Sequence, residues 1–451
     1  LDAASLTQAA SSYAAGGGTR PLPMLSFAMD YWRSGPDPAA FKATNILIHA
    51  VTALALASFF RLMLTAGGWS QQRAAYVAPI LALAWAIHPL QVSSVLYIVQ
   101  RMQTMGTLFL VLALWSYLRM RQAQIAGERS RQYGILTVLF WLLALASKED
   151  SILLPAYTLA MELTVLQFRA GRSSLAKGLR KGYLLAFLIG AAVYLLVVVP
   201  HYWSSGPYTY RDFSSLERLM TEGRVLAMYL GQIVLPLPAR LPFYYDDFVP
   251  SRGLLQPATT LAALLLVLGL LVLAWRLRKR RPLLALGILL FFAGHSMTSN
   301  VFNLELAFEH RNHFPLIGAV LAVGDILAAT FARFRLRPAA VAGACGLVLV
   351  LLAGATLLRV NTWSSPLGFA EQSVRIAPNS ERAWIALCQT NFALSGGKPA
   401  NPAFAATIDA CRDGAEIPYG ASNLASLAVL KSIEGSATPE DWQRLQARMR
   451  Q

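Results

Sequence analysis

The composition of the chain is that of an integral membrane protein. Of its 451 residues, 56% are hydrophobic and only 14% are charged, whereas soluble domains carry about 25% charged residues, so a soluble globular enzyme is excluded. The net charge of +16 does not indicate nucleic-acid binding. The basic residues lie in short connections between apolar runs, where they indicate membrane orientation, with contact to acidic lipid as a secondary consequence.

Residues 1–42 form a polar segment that we predict to be an extracytoplasmic first loop. Its second part, residues 25–32, combines apolar and aromatic side chains, which suits a helix lying along the membrane surface. The sequence begins at Leu1 and shows no signal peptide. We expect further residues, including a first spanning helix, ahead of it.

Residues 43–358 have the pattern of a polytopic, all-α transmembrane domain. Apolar runs long enough to cross a bilayer recur along it, and the short alternating segments of a β-barrel are absent. We place ten spans at about 43–65, 75–92, 103–120, 133–147, 151–168, 183–200, 256–275, 282–298, 314–332 and 339–358.

Arginine and lysine concentrate in every second connection between these spans. The basic connections carry Arg61 and Arg73; Arg119, Arg121, Arg129 and Arg131; Arg169, Arg172, Lys177, Arg180 and Lys181; Arg276, Arg278, Lys279, Arg280 and Arg281; and Arg333, Arg335 and Arg337. Because basic loops stay in the cytoplasm, the other connections and both ends of the chain are predicted to lie outside. All six histidines then fall on or near the outer face, so polar chemistry is expected on that side.

Two further segments complete the predicted architecture. Residues 219–237 are apolar enough to enter the membrane but have external flanks, so we predict a re-entrant or surface-lying helix. Residues 359–451 are predicted to form a small extracytoplasmic helical tail, whose spacing resembles one or two degenerate tetratricopeptide units. Its Cys388 and Cys411 are candidates for a disulfide if the tail is periplasmic or lumenal.

Two short external loops concentrate ionisable groups between apolar runs. A charge at the bilayer centre costs about 2.5–3.5 kcal/mol, so Glu309-His310-Arg311-Asn312 lies at the membrane edge or lines a polar cavity, unless it is simply a solvated loop. Ser147-Lys148-Glu149-Asp150 is either a tight turn with a local ion pair or a fixed cation–anion pair at a cavity mouth. The very short connection favours the second interpretation.

The region from Arg211 to Asp247 holds further candidates. Arg218 and Arg224 border the predicted re-entrant segment, where a guanidinium can hold a lipid phosphate bidentately. Asp246 and Asp247 are either metal ligands or part of a turn. No spacing of His, Cys and Asp specifies a metal, so no cofactor is firmly implied, although a divalent metal is compatible with the sequence. A nucleotide-binding glycine loop and a serine elbow are both absent.

Short motifs follow one another in a fixed order along nearly the whole chain. They are Gly18-Thr19-Arg20-Pro21-Leu22, Asn45-Ile46-Leu47-Ile48-His49, His88-Pro89, Gln100-Arg101, Ser147-Lys148-Glu149, Thr221-Glu222-Gly223-Arg224, Glu309-His310-Arg311-Asn312, and Trp363 with Pro378-Asn379-Ser380. In this order they resemble multi-span glycosyltransferases of the GT-C superfamily. The subgroup is that of the transmembrane and tetratricopeptide-repeat O-mannosyltransferases and their bacterial relatives.

This resemblance implies a polyprenyl-phosphate-linked sugar as donor and a hydroxyl acceptor outside the cytoplasm, often on a protein. Some bacterial members of such architecture glycosylate pilins. It also implies inversion at the anomeric carbon and, for a bacterial relative, an inner-membrane location with the active site and tail in the periplasm. The general base would be an Asp pair ahead of the Arg-Pro-Leu motif. Asp2 and Asp30 are poor substitutes, so we expect the base to lie upstream of Leu1.

With that chemistry, cations stabilise the leaving phosphate and carboxylates orient or deprotonate. We expect five groups to bind the donor phosphate: Arg101, Arg218, Arg224, His310 and Arg311. Lys148 and Glu149 are expected to supply the electrostatics of catalysis, and Glu309 to orient Arg311. The remaining predicted cavity residues are Arg20, His88, Asp246 and Asp247.

Two other functions remain open from the sequence. A flippase or transporter of lipid-linked sugars would also have many spans and basic residues, but it should carry polar groups in the middle of spans in both halves, whereas here they are one-sided. A membrane scaffold with a partner-binding tail is the second alternative. Ten spans with charged mouths exceed what an anchor needs.

Overall fold

A computed structural model describes residues 3–13, 20–203, 212–417 and 420–450. Helices make up the architecture of this part of the chain. The first ten are α1 (Ala3–Ser11), α2 (Pro21–Ser34), α3 (Pro38–Ala66), α4 (Gln71–Ala86), α5 (Gln91–Leu96), α6 (Arg101–Ala126), α7 (Arg131–Leu145), α8 (Leu154–Met161), α9 (Ser173–Val193) and α10 (Val199–Tyr202). The second ten are α11 (Ser215–Val234), α12 (Thr259–Leu277), α13 (Pro282–His295), α14 (Pro315–Arg333), α15 (Pro338–Thr362), α16 (Pro366–Ile376), α17 (Glu381–Ser395), α18 (Pro402–Ala415), α19 (Ala421–Glu434) and α20 (Pro439–Met449).

The helices confirm the predicted all-α membrane fold. Six stretches of the described chain are long and apolar enough to cross a bilayer: Pro38–Ala66, Ile98–Ala126, Ser173–Tyr202, Thr259–Leu277, Pro315–Arg333 and Pro338–Thr362. Arg131–Leu145 and Pro282–His295 are shorter apolar helices. The remaining predicted spans contain α4, which carries Pro79 in its interior, and the short helix α8.

Helix α11 covers the segment for which a re-entrant or surface-lying helix is predicted. It begins with a capping box, in which the Ser214 hydroxyl accepts from the Glu217 amide and the Glu217 carboxylate accepts from the Ser214 amide. One face buries polar and apolar side chains, among them Arg218, Glu222 and Tyr229. The helix is not among the stretches that qualify as spans by length and hydropathy.

The chain divides into two compact units. The first contains Leu1–Pro236, Pro250–Glu305 and Glu309–Gly354, and the second contains Leu237–Val249, Leu306–Phe308 and Ala355–Gln451. The second unit includes the predicted tail, whose core is formed by α17, α18 and α19 and includes Phe404 and Leu427. The Sγ atoms of Cys388 and Cys411 are bonded within that core. Ser380 caps α17 by accepting from the Ala383 amide.

Glycines bring α13 and α14 into backbone contact. A Cβ on Gly287 would lie 2.4 Å from the Gly318 carbonyl oxygen, and a Cβ on Gly318 would lie 2.5 Å from the Gly287 carbonyl oxygen. Small residues allow this close approach between apolar helices. Since α14 begins directly after the loop that holds Arg311, the contact fixes one end of that loop.

Gly287→Ala should therefore lower the thermal unfolding midpoint of the detergent-solubilised protein. The added methyl meets backbone atoms, which cannot move aside, and overpacking of this kind costs about 1–3 kcal/mol. Gly346→Ala in α15 is the control, because a Cβ there meets no atom within 4 Å and alanine favours a helix. Equal midpoints for the two variants would contradict the proposed packing.

Candidate functional site

Arg20 and Glu149 form an ion pair that joins the first loop to the connection after α7. Nε of Arg20 lies 2.8 Å and 3.0 Å from the two carboxylate oxygens, and Nη2 lies 2.8 Å from Oε2. Burial opposes ionisation of Glu149, but the hydrogen bonds and charge of Arg20 outweigh it and lower the pKa of that carboxyl. The side chains are 20% and 38% exposed, so the pair is charged and still reachable from solvent.

Lys148 has an extended backbone between α7 and the 3₁₀ turn Glu149–Leu153. Its Nζ lies 3.4 Å from Asp150 Oδ2 and donates a short hydrogen bond to Gln103 Oε1. Burial lowers the pKa of Lys148, Asp150 opposes that effect, and the neighbouring charges of Arg20 and Arg311 add to it. The local partner of Lys148 is therefore Asp150, while Glu149 pairs with Arg20 from a distant part of the chain.

The loop Glu309–Asn312 adds His310 and Arg311 to this neighbourhood. Arg311 donates from Nη1 to the Glu305 carbonyl oxygen at 2.8 Å. Burial lowers the pKa of His310 well below its ordinary value, and the charges of Lys148, Arg311 and Arg20 lower it further. His310 is therefore a neutral imidazole at pH 7 beside charged groups. Glu309 is buried, and its carbonyl oxygen accepts from Asn312 Nδ2 at 3.3 Å.

The structure thus gathers side chains from three distant parts of the sequence into one loop cluster. Its members are Arg20, Lys148, Glu149, Asp150, His310 and Arg311. Three cationic groups face two carboxylates, which leaves a net positive charge. A partly buried site with this balance can attract and stabilise an anionic group such as a phosphodiester.

On α11, the two candidates Arg218 and Arg224 occupy different positions. Arg218 has no exposed surface, and it donates to the carbonyl oxygens of Thr298, Asn300 and Leu304. Nε, Nη1 and Nη2 of Arg218 are thus all engaged with backbone, which argues against its predicted role as a phosphate ligand. Burial raises the pKa of Glu222 to about 7, against the opposing charges of Arg218 and Arg311. Arg224 is partly buried, and its Nη1 lies 3.4 Å from Ser251 Oγ.

Arg101 and His88 are also buried with internal partners, which argues against their predicted roles in the site. Arg101 is fully buried, and its Nη2 lies 2.6 Å from Asp30 Oδ2. Its other donors contact Asn45 Oδ1 at 2.8 Å and Ser26 Oγ at 3.2 Å. His88 is buried too, with Nε2 3.1 Å from the Ile233 carbonyl oxygen and Nδ1 accepting from the Leu90 amide. A saturated, buried side chain has no surface to offer a lipid phosphate.

Asp246 and Asp247 belong to the second unit, and their place in a cavity stays a prediction. Asp246 accepts from Ser380 Oγ and pairs with the guanidinium of Arg382, whose Nε lies 2.9 Å from Oδ1. The carboxylate thus anchors the first turn of α17. The described residues contain no group of three or more His, Cys, Asp or Glu that could hold a metal ion.

Sequence reasoning left several important side chains unassigned. Asp150 stands inside a quoted motif, but its pairing with Lys148 depends on the local turn. Gln103 gave no signal, because an amide inside an apolar run matches no motif. Asp30 was considered only as a poor base, yet it is the partner of Arg101. Asp2, Gly18, Thr19 and Arg211 lie outside the described residues.

Comparison with known proteins agrees with the motif order. Over 157 residues the chain is 27% identical to human protein O-mannosyl-transferase TMTC4, and over 195 residues it is 26% identical to mouse protein O-mannosyl-transferase TMTC3. The chain is similar to protein O-mannosyl-transferases. A third relative, human protein O-mannosyl-transferase TMTC2, is 30% identical over 115 residues. The resemblance predicted from the sequence is therefore confirmed.

The similarity covers part of each protein. It spans 33%, 40% and 26% of this chain for the three relatives in the same order, but only 21%, 20% and 13% of the relatives themselves. The chain thus matches about a fifth of the length of the first two curated relatives. No protein-family model matches the chain, and no solved structure matches it significantly.

Proposed function

We propose that this protein is a membrane glycosyltransferase that moves a sugar from a polyprenyl-phosphate donor to a hydroxyl group of a protein acceptor. The observation that carries the proposal is the loop cluster, in which Arg20 pairs with Glu149, Lys148 pairs with Asp150, and the charge of Arg311 acts on Lys148. The similarity to protein O-mannosyl-transferases supports the reaction type.

The expected reaction is a displacement at the anomeric carbon. The acceptor oxygen forms a bond to that carbon, while the bond between the carbon and the phosphate oxygen breaks and its electron pair leaves with the polyprenyl phosphate. Arg311 and Lys148 neutralise the charge that develops on the departing oxygen. A carboxylate takes the hydroxyl proton. The loop cluster contains two carboxylates, Glu149 and Asp150, which pair with Arg20 and Lys148. Asp2, the acidic residue ahead of Arg20, lies outside the described residues.

The same proposal includes the location of the reaction. The alternation of basic connections supports a position of the loop cluster and of the tail outside the cytoplasm. The proposal takes this side to be the periplasm of a bacterial inner membrane. Folding of the tail around a buried disulfide supports an oxidising compartment. A protein acceptor exported across the membrane, such as a pilin, would meet the donor there.

The test uses the full-length protein in proteoliposomes with a synthetic polyprenyl-phosphate sugar and a peptide rich in serine and threonine. We expect a mass increase of one sugar on the peptide, together with release of polyprenyl phosphate. Donor that crosses the bilayer with its sugar intact and leaves the peptide unmodified would identify a transporter. If the folded protein neither modifies the peptide nor transports the donor, the proposal is overturned and the membrane scaffold is the remaining function.

A further inference from the structure

The buried face of α11 carries an arginine and a carboxyl group, Arg218 and Glu222, one helical turn apart. Nη2 of Arg218 lies 3.0 Å from Glu222 Oε1, and the two side chains are 0% and 3% exposed. Removing charges from water is costly unless they are paired and hydrogen-bonded. The charge of Arg218 offsets part of the cost of burying the Glu222 carboxylate, whose pKa burial still raises to about 7.

Arg218 extends this pair to the irregular segment between α13 and the loop cluster. Its Nε donates to the Asn300 carbonyl oxygen at 2.9 Å, its Nη2 to the Thr298 carbonyl oxygen at 3.1 Å, and its Nη1 to the Leu304 carbonyl oxygen. A guanidinium presents its donors in a rigid fork. One side chain thus contacts three carbonyl oxygens of a segment that lies between α13 and the 3₁₀ turn Glu309–Asn312 and forms no helix.

The carbonyl of the next residue, Glu305, contacts Arg311 of the loop cluster. Leu304 accepts from Arg218, and the next residue, Glu305, accepts from Arg311 Nη1 at 2.8 Å. Two arginines therefore bind consecutive carbonyl oxygens, those of Leu304 and Glu305. A shift of the backbone at Leu304 would therefore also move the Glu305 carbonyl oxygen, which orients the Arg311 guanidinium.

We infer that Arg218 and Glu222 are positioning residues, which hold the segment 298–305 so that Glu305 aims Arg311 at the donor phosphate. This inference rests on the proposed function and assigns α11 a role in it. Neither residue contacts the donor, because both are buried. Glu222 holds the Arg218 guanidinium through their close contact. The charge of Arg311 also acts on the Glu222 carboxyl.

The variants Glu222→Gln and Arg218→Lys test the inference. Glutamine keeps the shape of Glu222 without its charge, and lysine keeps the charge of Arg218 without the fork. We expect each to reduce kcat/KM for the donor about 10- to 100-fold, since a misplacement of about 1 Å costs up to about 100-fold, and to speed amide exchange across residues 298–312. The control is Arg252→Ala, which removes an exposed pairing with Asp212 and Glu217 beside the same helix and should leave both measurements unchanged.

A double-mutant cycle separates positioning from general stability. If Glu222 acts through Arg311, adding Glu222→Gln to Arg311→Lys should change kcat/KM by less than about twofold, because the interaction is already lost. Multiplicative effects in the double variant would overturn the inference, as would unchanged exchange in both single variants. Amide exchange needs no turnover, so it tests the segment even if the wild-type protein transfers no sugar, a result that would count against the proposed function alone.

Discussion

Replacing Arg311 with alanine should abolish sugar transfer while the protein still folds. Arg311 is partly exposed, and its guanidinium reaches the loop cluster and is oriented by the Glu305 carbonyl oxygen. Loss of a donor aimed at developing negative charge costs about 100- to 1,000-fold in kcat. The measurement is initial rate against donor concentration with purified, monodisperse protein in proteoliposomes. Arg311→Lys, which keeps the charge without the fork, should retain part of the rate.

The control for Arg311 is Arg412→Ala, which removes an exposed arginine paired with Asp409 on the same helix. Surface pairs of this kind contribute about 0–1 kcal/mol, so its rate and unfolding midpoint should match those of the wild type. Product formation by Arg311→Ala at the wild-type rate would remove Arg311 from the site. A variant that does not fold would be replaced by Arg311→Gln, for which the same expectation holds.

The helical architecture could be predicted because hydropathy is local. A run of apolar residues bounded by basic connections reports its own environment, and the six stretches that qualify as spans all lie at predicted positions. The capped start of α17 is local as well, since Ser380 acts on an amide only three residues away. Where a property depends on neighbours in sequence, the residues themselves carry enough information.

The roles of Arg101 and Arg218 could not be predicted, because their contacts include partners that are remote in sequence. Arg101, Arg218 and Arg311 look alike in the sequence, each beside an apolar run. Arg101 binds Asp30, and Arg218 binds the carbonyl oxygens of Thr298 and Asn300. Both guanidinium groups therefore have their partners inside the fold. Arg311 remains in the loop cluster. Hydropathy and motif order carry no information about which cation is buried.

Among these arginines, we expect loss of the buried Arg101 to have the largest effect on stability. Besides Asp30, its guanidinium contacts Asn45 Oδ1 at 2.8 Å and the Phe41 carbonyl oxygen at 2.9 Å, and it lies 4.4 Å from the centre of the Phe27 ring. These contacts tie α2 and the start of α3 to α6. A fully buried arginine with this set of partners holds the first loop against the bundle.

Arg101→Met should therefore lower stability by about 3–5 kcal/mol, the usual cost of breaking a buried ion pair, because it leaves the Asp30 carboxylate buried without its main partner. The measurement is the unfolding midpoint in detergent, alongside donor binding by whatever protein remains folded. Arg33→Ala is the matched control: Arg33 also pairs with Asp30, at 3.1 Å, but is 60% exposed, so its loss should cost about 1 kcal/mol or less.

A second substitution decides between structure and phosphate binding at Arg101. Adding Asp30→Asn to Arg101→Met removes the uncompensated charge, so it should recover about 1–3 kcal/mol of the lost stability. A phosphate ligand would behave in the opposite way, since Arg101→Met would keep the wild-type midpoint and lose only donor affinity, and Asp30→Asn would restore nothing. Because Arg101 has no exposed surface, we expect Asp30→Asn to restore stability to the Arg101→Met variant. Arg311 is partly exposed, so we expect its replacement to abolish transfer without unfolding the protein.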